Sequence, residues 1–176
     1  MTTITLEKAR KDFEAIYHRA DNLAWTRMSE QDTLTKFIHP LLTALGWDVL
    51  NFDEVREEVH VKTGAKDNHM DLVLYLNKSP CVGIEVKSIA YGNLLDDAGI
   101  HIGENVRHLL KDLEIKSKQL NVKYAVLTRF VDTLVFQGDS MTQVAAFCRL
   151  EHILKFDVLW KLLSKQGQRA LVEQAH

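Results

Sequence analysis

The sequence predicts a single α/β domain with helical ends around a strand-rich middle, and three observations point there. Leu34, Phe37, Ile38, Leu41, Leu42 and Leu45 recur at i, i+3, i+4, i+7, i+8 and i+11, the stripe of a helix with one buried face. Two nearly continuous apolar runs, 71–76 and 81–87, are split by a short polar connection, as expected for central strands covered on both faces. The chain's 176 residues include only 8 Gly and 2 Pro, with no repeat, low-complexity tract or linker, so 1–176 reads as one domain with one core.

The elements follow in order. Residues 4–22 read as a first helix, a helical N-terminal extension with Leu6, Phe13, Ile16 and Tyr17 on one face. Ser29 caps the second helix with Asp32 as its reciprocal partner, and Gly46 ends it. Residues 54–62 alternate as a strand, 63–68 form a polar turn, 71–76 and 81–87 are strands, and Asn77–Pro80 is a tight connection. Residues 94–119 read as mainly helical. Strands follow at 122–128, 131–136 and near 144–150, then helices at 156–165 and 167–174, the C-terminal extension.

Composition narrows the class. Apolar residues make up 46% and charged residues 26%, near globular averages. No apolar run reaches the roughly 18 residues a membrane helix needs, and the N-terminus lacks the apolar segment of a secretory signal. Cys81 and Cys148 sit in apolar runs and read as reduced core residues, so a cytoplasmic location is expected. The net charge of −2 excludes a protein that coats nucleic acid by bulk electrostatics, and confines any DNA contact to one local face.

Acids and a lysine interrupt the apolar strands. Asp71 opens one strand, while Glu85 and Lys87 share a face near the end of the next. The hairpin brings Asp71 and Glu85 to the same end of adjacent strands. Close carboxylates raise each other's pKa unless a cation lies between them. Lys87 supplies one positive charge, and a hard divalent cation with oxygen ligands, Mg²⁺ above all, would supply the rest. The residues fit equally a partly buried ion pair that needs no metal. The tripeptide itself carries little weight, because Glu114-Ile115-Lys116 repeats it in what reads as a solvated helix. Glu30, four residues before Leu34, falls on or beside the buried stripe, where a capping role for the helix dipole is a sufficient alternative.

Asp71, thirteen intervening residues, then Glu85-Val86-Lys87 resembles the PD-(D/E)XK nuclease signature, with Met70 where the Pro would stand. Glu30 to Asp48 (EQDTLTKFIHPLLTALGWD) is similar to the helix that opens the N-terminal nuclease domain of type I restriction enzyme R subunits and their stand-alone relatives. Phe156 to Lys165 (FDVLWKLLSK) looks like that group's closing helix. The resemblance covers about residues 28–165. It implies a restriction-endonuclease-like fold, a mixed central sheet flanked by helices with an α-β-β-β-α-β core. It also implies a Mg²⁺-dependent deoxyribonuclease, with Mn²⁺ a possible substitute, in which Glu30, Asp71, Glu85 and Lys87 are catalytic. Asp71, Glu85, the Val86 carbonyl and Glu30 would hold the metal, and the products would carry 5′-phosphates. Where the group has a Gln and, four residues on, a Tyr, this chain has Asn105 and Leu109.

DNA is the partner implied, in restriction, defence or repair. Asn105, Arg107 and Lys111 are the candidate phosphate contacts, with Lys118 beside them, although pairing of the basic residues with Glu104, Asp112 and Glu114 suits their spacing as well. Cutting both strands from one site per chain makes a homodimer or a larger restriction complex an expectation. No ATP is expected, since the chain has no Gly-x-x-x-x-Gly-Lys-Ser/Thr loop. The alternatives are a non-cutting module that binds nucleic acid or a protein partner, and a subunit of a larger complex. His60, His69 and Asp71 as zinc ligands lack the spacing of any standard motif. The run from Asp53 to Glu58 reads as a solvated face or edge strand, with an acidic partner-binding or DNA-mimicking patch the minor alternative, and Trp25 and Trp47 read as core anchors.

Overall fold

The computed structural model describes residues 4–21, 27–63, 66–95, 103–148 and 151–174. They form a mixed α/β structure around one six-stranded sheet. Helix α1 (Leu6–Asp21) comes first, with Ala9, Phe13, Ile16, Tyr17 and Ala20 buried and Leu6 left exposed. The second predicted helix is one run of three pieces: α2 (Glu30–Thr33), a π-helical turn (Leu34–Ile38) and α3 (His39–Ala44). Ser29 and Asp32 form the expected capping box. The Lys36 ammonium, then the Ser29 hydroxyl, hold the Asp32 carboxyl down at about 2, so the cap stays ionised. All six stripe residues are buried. At the far end Gly46 has φ 90, and Trp47 N–H and Gly46 N–H donate to the Leu42 and Thr43 carbonyls. This Schellman closure needs the left-handed conformation that glycine adopts without a Cβ clash.

The sheet runs β1-β2-β3-β4-β5-β6, with β1 (Val55–Thr63), β2 (Lys66–Leu76) and β3 (Ser79–Val86) an antiparallel meander. Asn77 and Lys78, with φ 52 and 67, make the tight turn between β2 and β3 that suits the twist of a hairpin. Helix α4 (Gly103–Leu120) then carries the chain to β4 (Tyr124–Thr128), parallel to β3, and β5 (Thr133–Gln137) and β6 (Gln143–Phe147) complete the sheet antiparallel. A parallel neighbour requires such a crossover, which places α4 on a sheet face. Three short helices close the chain: α5 (Glu151–Leu154), α6 (Phe156–Leu163) and α7 (Lys165–Glu173).

Two clusters of buried residues cover the two faces. Leu72, Leu74, Val82, Ile84 and Val86 pack with α1, the π-helical turn, α3 and α6, around rings that include Phe37 and Phe130 at 4.8 Å and Phe13 and Phe156 at 5.1 Å. Val73, Tyr75, Ala125 and Leu127 pack with Val106 and Leu113 of α4. Trp47 is a core anchor whose indole N–H donates to the Leu163 carbonyl, tying α6 to the end of α3. Trp25 and residues 96–102 lie outside the described residues.

Some expectations need correction. Residues 66–68 are strand, not turn, because Thr63 pairs with Lys66, Lys62 with Asp67 and Val61 with Asn68; polar composition conceals the pairing of an outer hairpin. Helix α4 starts at Gly103, and Leu94 and Leu95 are buried in a non-helical segment rather than on a helix. Strand β6 ends at Phe147, and α5 was not anticipated. Both cysteines are free, and burial pushes the Cys81 thiol up to about 12, so it remains protonated. Among the described residues, no helix is long and apolar enough to cross a membrane.

His152 gives the fold a pH dependence. Its Nδ1 lies 3.1 Å from the Cys148 carbonyl, which only accepts, so Nδ1 carries the hydrogen and Nε2 accepts from the Thr133 hydroxyl at 3.0 Å. Burial pushes the imidazole down from 6.5 to about 4. Between those values the unfolded chain binds a proton that the folded chain refuses. This contribution is therefore complete above about 6.5 and is lost as pH falls toward about 4. Between about pH 7 and about pH 4.5 the melting temperature of the parent should fall steadily relative to that of His152→Gln. An equal slope in both proteins would place the effect elsewhere.

Candidate functional site

The candidate residues meet where the β1–β2 ladder is interrupted. Glu58 has φ 48 and drops out of the β1–β2 ladder between the pairs Glu57–Leu72 and Val59–Met70. Across this irregularity β2 changes which face it buries: Met70 belongs to the α4-side cluster and Leu72 to the opposite one. Asp71 is the residue at the switch. A left-handed non-glycine residue inside a strand is backbone strain of the kind that gathers at functional sites.

The β2–β3 pairing is recorded as far as Leu72 and Ile84, and beyond it a side chain takes the ladder's place. Asp71 Oδ2 accepts from the Val86 N–H at 2.6 Å. Burial first, and the Glu85 charge second, push the Asp71 carboxyl up from 3.8 to about 7. The Val86 hydrogen bond and Lys87 pull it down without prevailing.

Glu85 is 8% exposed and meets an ammonium on each oxygen: Lys87 Nζ at 3.2 Å on Oε1 and Lys116 Nζ at 2.7 Å on Oε2. Lys87 follows the last residue of β3, held by its N–H donating to the Thr128 carbonyl at 2.7 Å. Its ammonium also donates to the Val86 carbonyl at 2.9 Å and to Glu30 Oε2 at 3.3 Å. Burial alone would lower its pKa, but Glu85, Glu30 and Asp71 together more than offset this and raise it. Lys87 is therefore a cation throughout the neutral range.

Glu30 reaches this cluster because the start of α2 is bolted to the segment after β3. Ile89 N–H donates to the buried Thr33 hydroxyl at 2.8 Å, and the Ser88 hydroxyl donates to the Met28 carbonyl at 2.5 Å. That segment is anchored in turn by a buried pair. Arg129 donates to Asp132 at 2.7 Å, to the carbonyls of Ile89 and Tyr91, and to Asn93 Oδ1 at 2.7 Å, while Asp132 accepts from Leu94 N–H. Glu30 itself is half-exposed rather than on the buried stripe, so it stands at the mouth of the cluster.

Thus Glu30, Asp71 and the Glu85–Lys87 pair are brought together from three separate points of the sequence. Lys116 is the residue that sequence reasoning missed: its side chain is 7% exposed, not solvated, while Ile115 beside it is 46% exposed. The signal was present. Val106, Leu113 and Lys116 are spaced as one helical face, with the lysine on the apolar stripe. Arg129 and Asp132, charged residues inside the apolar run 122–136, were overlooked for the same reason.

Other candidates fall away from the cluster. Arg107 and Lys111 are exposed on α4, Lys118 pairs with Glu114 at 2.6 Å, and the side chain of Asn105 lies outside the described residues. His60 and His69 pair across β1 and β2 with rings edge to face at 5.3 Å. In the acidic run, β1 is indeed an edge strand, but Glu54 is not solvated; its carboxylate bonds Lys165 and the Asp48 N–H. No protein-family model, curated protein or solved structure matches the chain.

The donors that suit a hard cation are the Asp71 and Glu85 carboxylates and the Val86 carbonyl, all oxygen, the chemistry that Mg²⁺ selects, although the Glu85 oxygens and the Val86 carbonyl each carry an ammonium. Among the described residues no three His, Cys, Asp or Glu side chains form a group that would hold an ion unaided. Any ion here would rely on the carbonyl and on water. The raised Asp71 carboxyl marks a place short of positive charge, which a cation would relieve.

That shortage has a measurable cost. Between about 3.8 and about 7 the folded chain keeps a proton on Asp71 that the unfolded chain releases, so stability is lost as pH rises through this window. Allowing for partial exposure, the penalty above pH 7 is on the order of 2 kcal/mol. Asp71→Asn should therefore raise the melting temperature by about 5 °C at about pH 8 without metal, and change little near about pH 4. A variant no more stable than the parent at the higher pH would contradict this charge assignment.

Proposed function

We propose that the protein is a Mg²⁺-dependent nuclease that hydrolyses DNA phosphodiester bonds, built on a restriction-endonuclease-like version of its mixed sheet. The observation that carries this is the Lys87 ammonium at the end of β3, in contact with Glu85 and Glu30 and electrostatically coupled to Asp71. The element order, with α2 and α3 before a three-stranded meander, a crossover helix and β4, supports the fold assignment.

Asp71, Glu85 and the Val86 carbonyl would hold the metal, with Glu30 completing the set directly or through a water. When bound, Mg²⁺ supplies Lewis-acid stabilisation of the charge that develops on the phosphoryl oxygens, and Mn²⁺ is a fitting substitute. The protein's own groups do the rest. Lys87, cationic at neutral pH, donates a hydrogen bond to the attacking water and offsets charge in the transition state. The Asp71–Val86 hydrogen bond fixes one carboxylate against the strand end, so little reorganisation is needed during the reaction. Glu30, at the mouth, orients the incoming water and helps to hold the Lys87 head in place.

Arg107 and Lys111, exposed on α4, would contact flanking phosphates, and Asn105 takes the corresponding role by resemblance. With one cluster per chain, cutting both strands calls for a homodimer or a larger restriction or defence assembly, in the cytoplasm. A non-cutting DNA-binding or partner-binding module draws its support from the two lysines that already offset Glu85, since such an ion-pair cluster holds together without metal.

Nicking of supercoiled plasmid tests the choice. The parent protein should cut in Mg²⁺ or Mn²⁺ and stop in EDTA. Asp71→Ala and Lys87→Ala, folded by circular dichroism, should lose at least about 100-fold in rate. Glu30→Gln should lose about tenfold. Undiminished cutting by the Asp71 or Lys87 variant would remove the site assignment, and Ca²⁺-supported DNA binding without any cutting would favour the non-cutting module.

A further inference from the structure

We propose that Lys116 takes the place of a second metal ion, so that the cluster accepts one divalent cation per chain. The inference rests on the reading of Asp71 and Glu85 as metal ligands. It concerns a residue from a different element, a helix on the sheet face rather than a strand end.

Lys116 reaches Glu85 from inside the protein. It lies on the face of α4 that buries Val106 and Leu113, and its ammonium meets Glu85 Oε2 at 2.7 Å with side chains 7% and 11% exposed. A salt bridge enclosed in this way persists, since separating the partners would leave each charge buried and uncompensated. Lys87 is different: it follows the last residue of the strand, is less enclosed than Lys116, and shares its ammonium among three oxygens.

Asp71 Oδ2 accepts from the Val86 N–H, Glu85 Oε2 is held by the enclosed Lys116, and Glu85 Oε1 is shared with Lys87. Two metal ions about 4 Å apart are commonly bridged by a shared carboxylate. Glu85 could bridge them through both oxygens only with a divalent cation beside the Lys116 ammonium, which repels it. The other oxygen of each acid, with the Val86 carbonyl and waters, suffices for one octahedral ion.

Charge leads to the same count. Glu30, Asp71 and Glu85 against Lys87 and Lys116 leave a single negative charge when all are ionised. One divalent cation and one phosphodiester bring the assembly to neutrality. A second divalent cation would leave two surplus positive charges in a part-buried setting, where they are costly. Lys116 is thus a positioning residue: it fixes Glu85 in a one-oxygen pose and supplies the charge that a second ion would otherwise bring.

Calorimetric titration with Mn²⁺ alone, on the intact chain, reads the stoichiometry directly. The parent protein and Lys116→Arg should each bind one ion. Lys116→Gln should bind a second, with the first held about tenfold more tightly once the competing ammonium is gone. Two ions in the parent would overturn the inference whether or not the variants fold, and would leave the metal-site reading standing. A Lys116→Gln isotherm identical to the parent's would also overturn it. No saturable binding in the parent, together with no effect of Asp71→Ala, would remove the metal site itself and the inference with it.

Discussion

A carboxylate enclosed by protein at the end of a strand must find positive charge, and Glu85 governs what the surrounding elements do. It is 8% exposed in the middle of the sheet, where an unpaired anion is costly. Two ammoniums answer it from opposite directions, Lys116 from α4 and Lys87 from the strand end. Asp71, one strand away, is pushed up to about 7 by burial first and by the Glu85 charge second, and Lys87 does not make up the difference. The same shortage that weakens the resting fold gives a cation a reason to bind.

The rest of the architecture serves that corner. Crossover helix α4 is required by the parallel β3–β4 pair, and the crossover carries Lys116 to Glu85. The capping box at Ser29 starts α2 at the right residue, and Thr33 and Ser88 fasten that start to the segment after β3, so that Glu30 meets Lys87. Arg129 spends its guanidinium donors holding residues 89–93 and Asp132, and so keeps the fastening segment in position. These are positional roles; the proposed chemistry belongs to groups at the strand ends.

Much of this was legible in the sequence where the physics is local. The Ser29–Asp32 box, the Leu34–Leu45 stripe and its Gly46 stop depend on residues three to five apart, and all three are present. Asp71 and Glu85 were placed together because one hairpin joins their strands, which is nearly as local. What escaped was non-local pairing. Glu54 reads as one acid in a solvated run until Lys165, 111 residues away, folds onto it. Lys116 reads as solvent-facing beside Glu114, and only the sheet beneath α4 reveals why a lysine lies on the apolar stripe. The strand at 66–68 was hidden by its polar composition, because hydrophobic patterning is silent where hydrogen-bonded strands leave the core.

The central claim is that Asp71 and Glu85 share a hard cation at the end of the β2–β3 hairpin. Anomalous diffraction from a Mn²⁺-soaked crystal tests it most directly. The account predicts a strong peak at coordination distance from Asp71, Glu85 and the Val86 carbonyl, with Lys87 drawn off Glu85 and Lys116 still bonded to it. Density at full occupancy elsewhere, with both lysines unmoved on Glu85 and nothing beside Asp71, would contradict it.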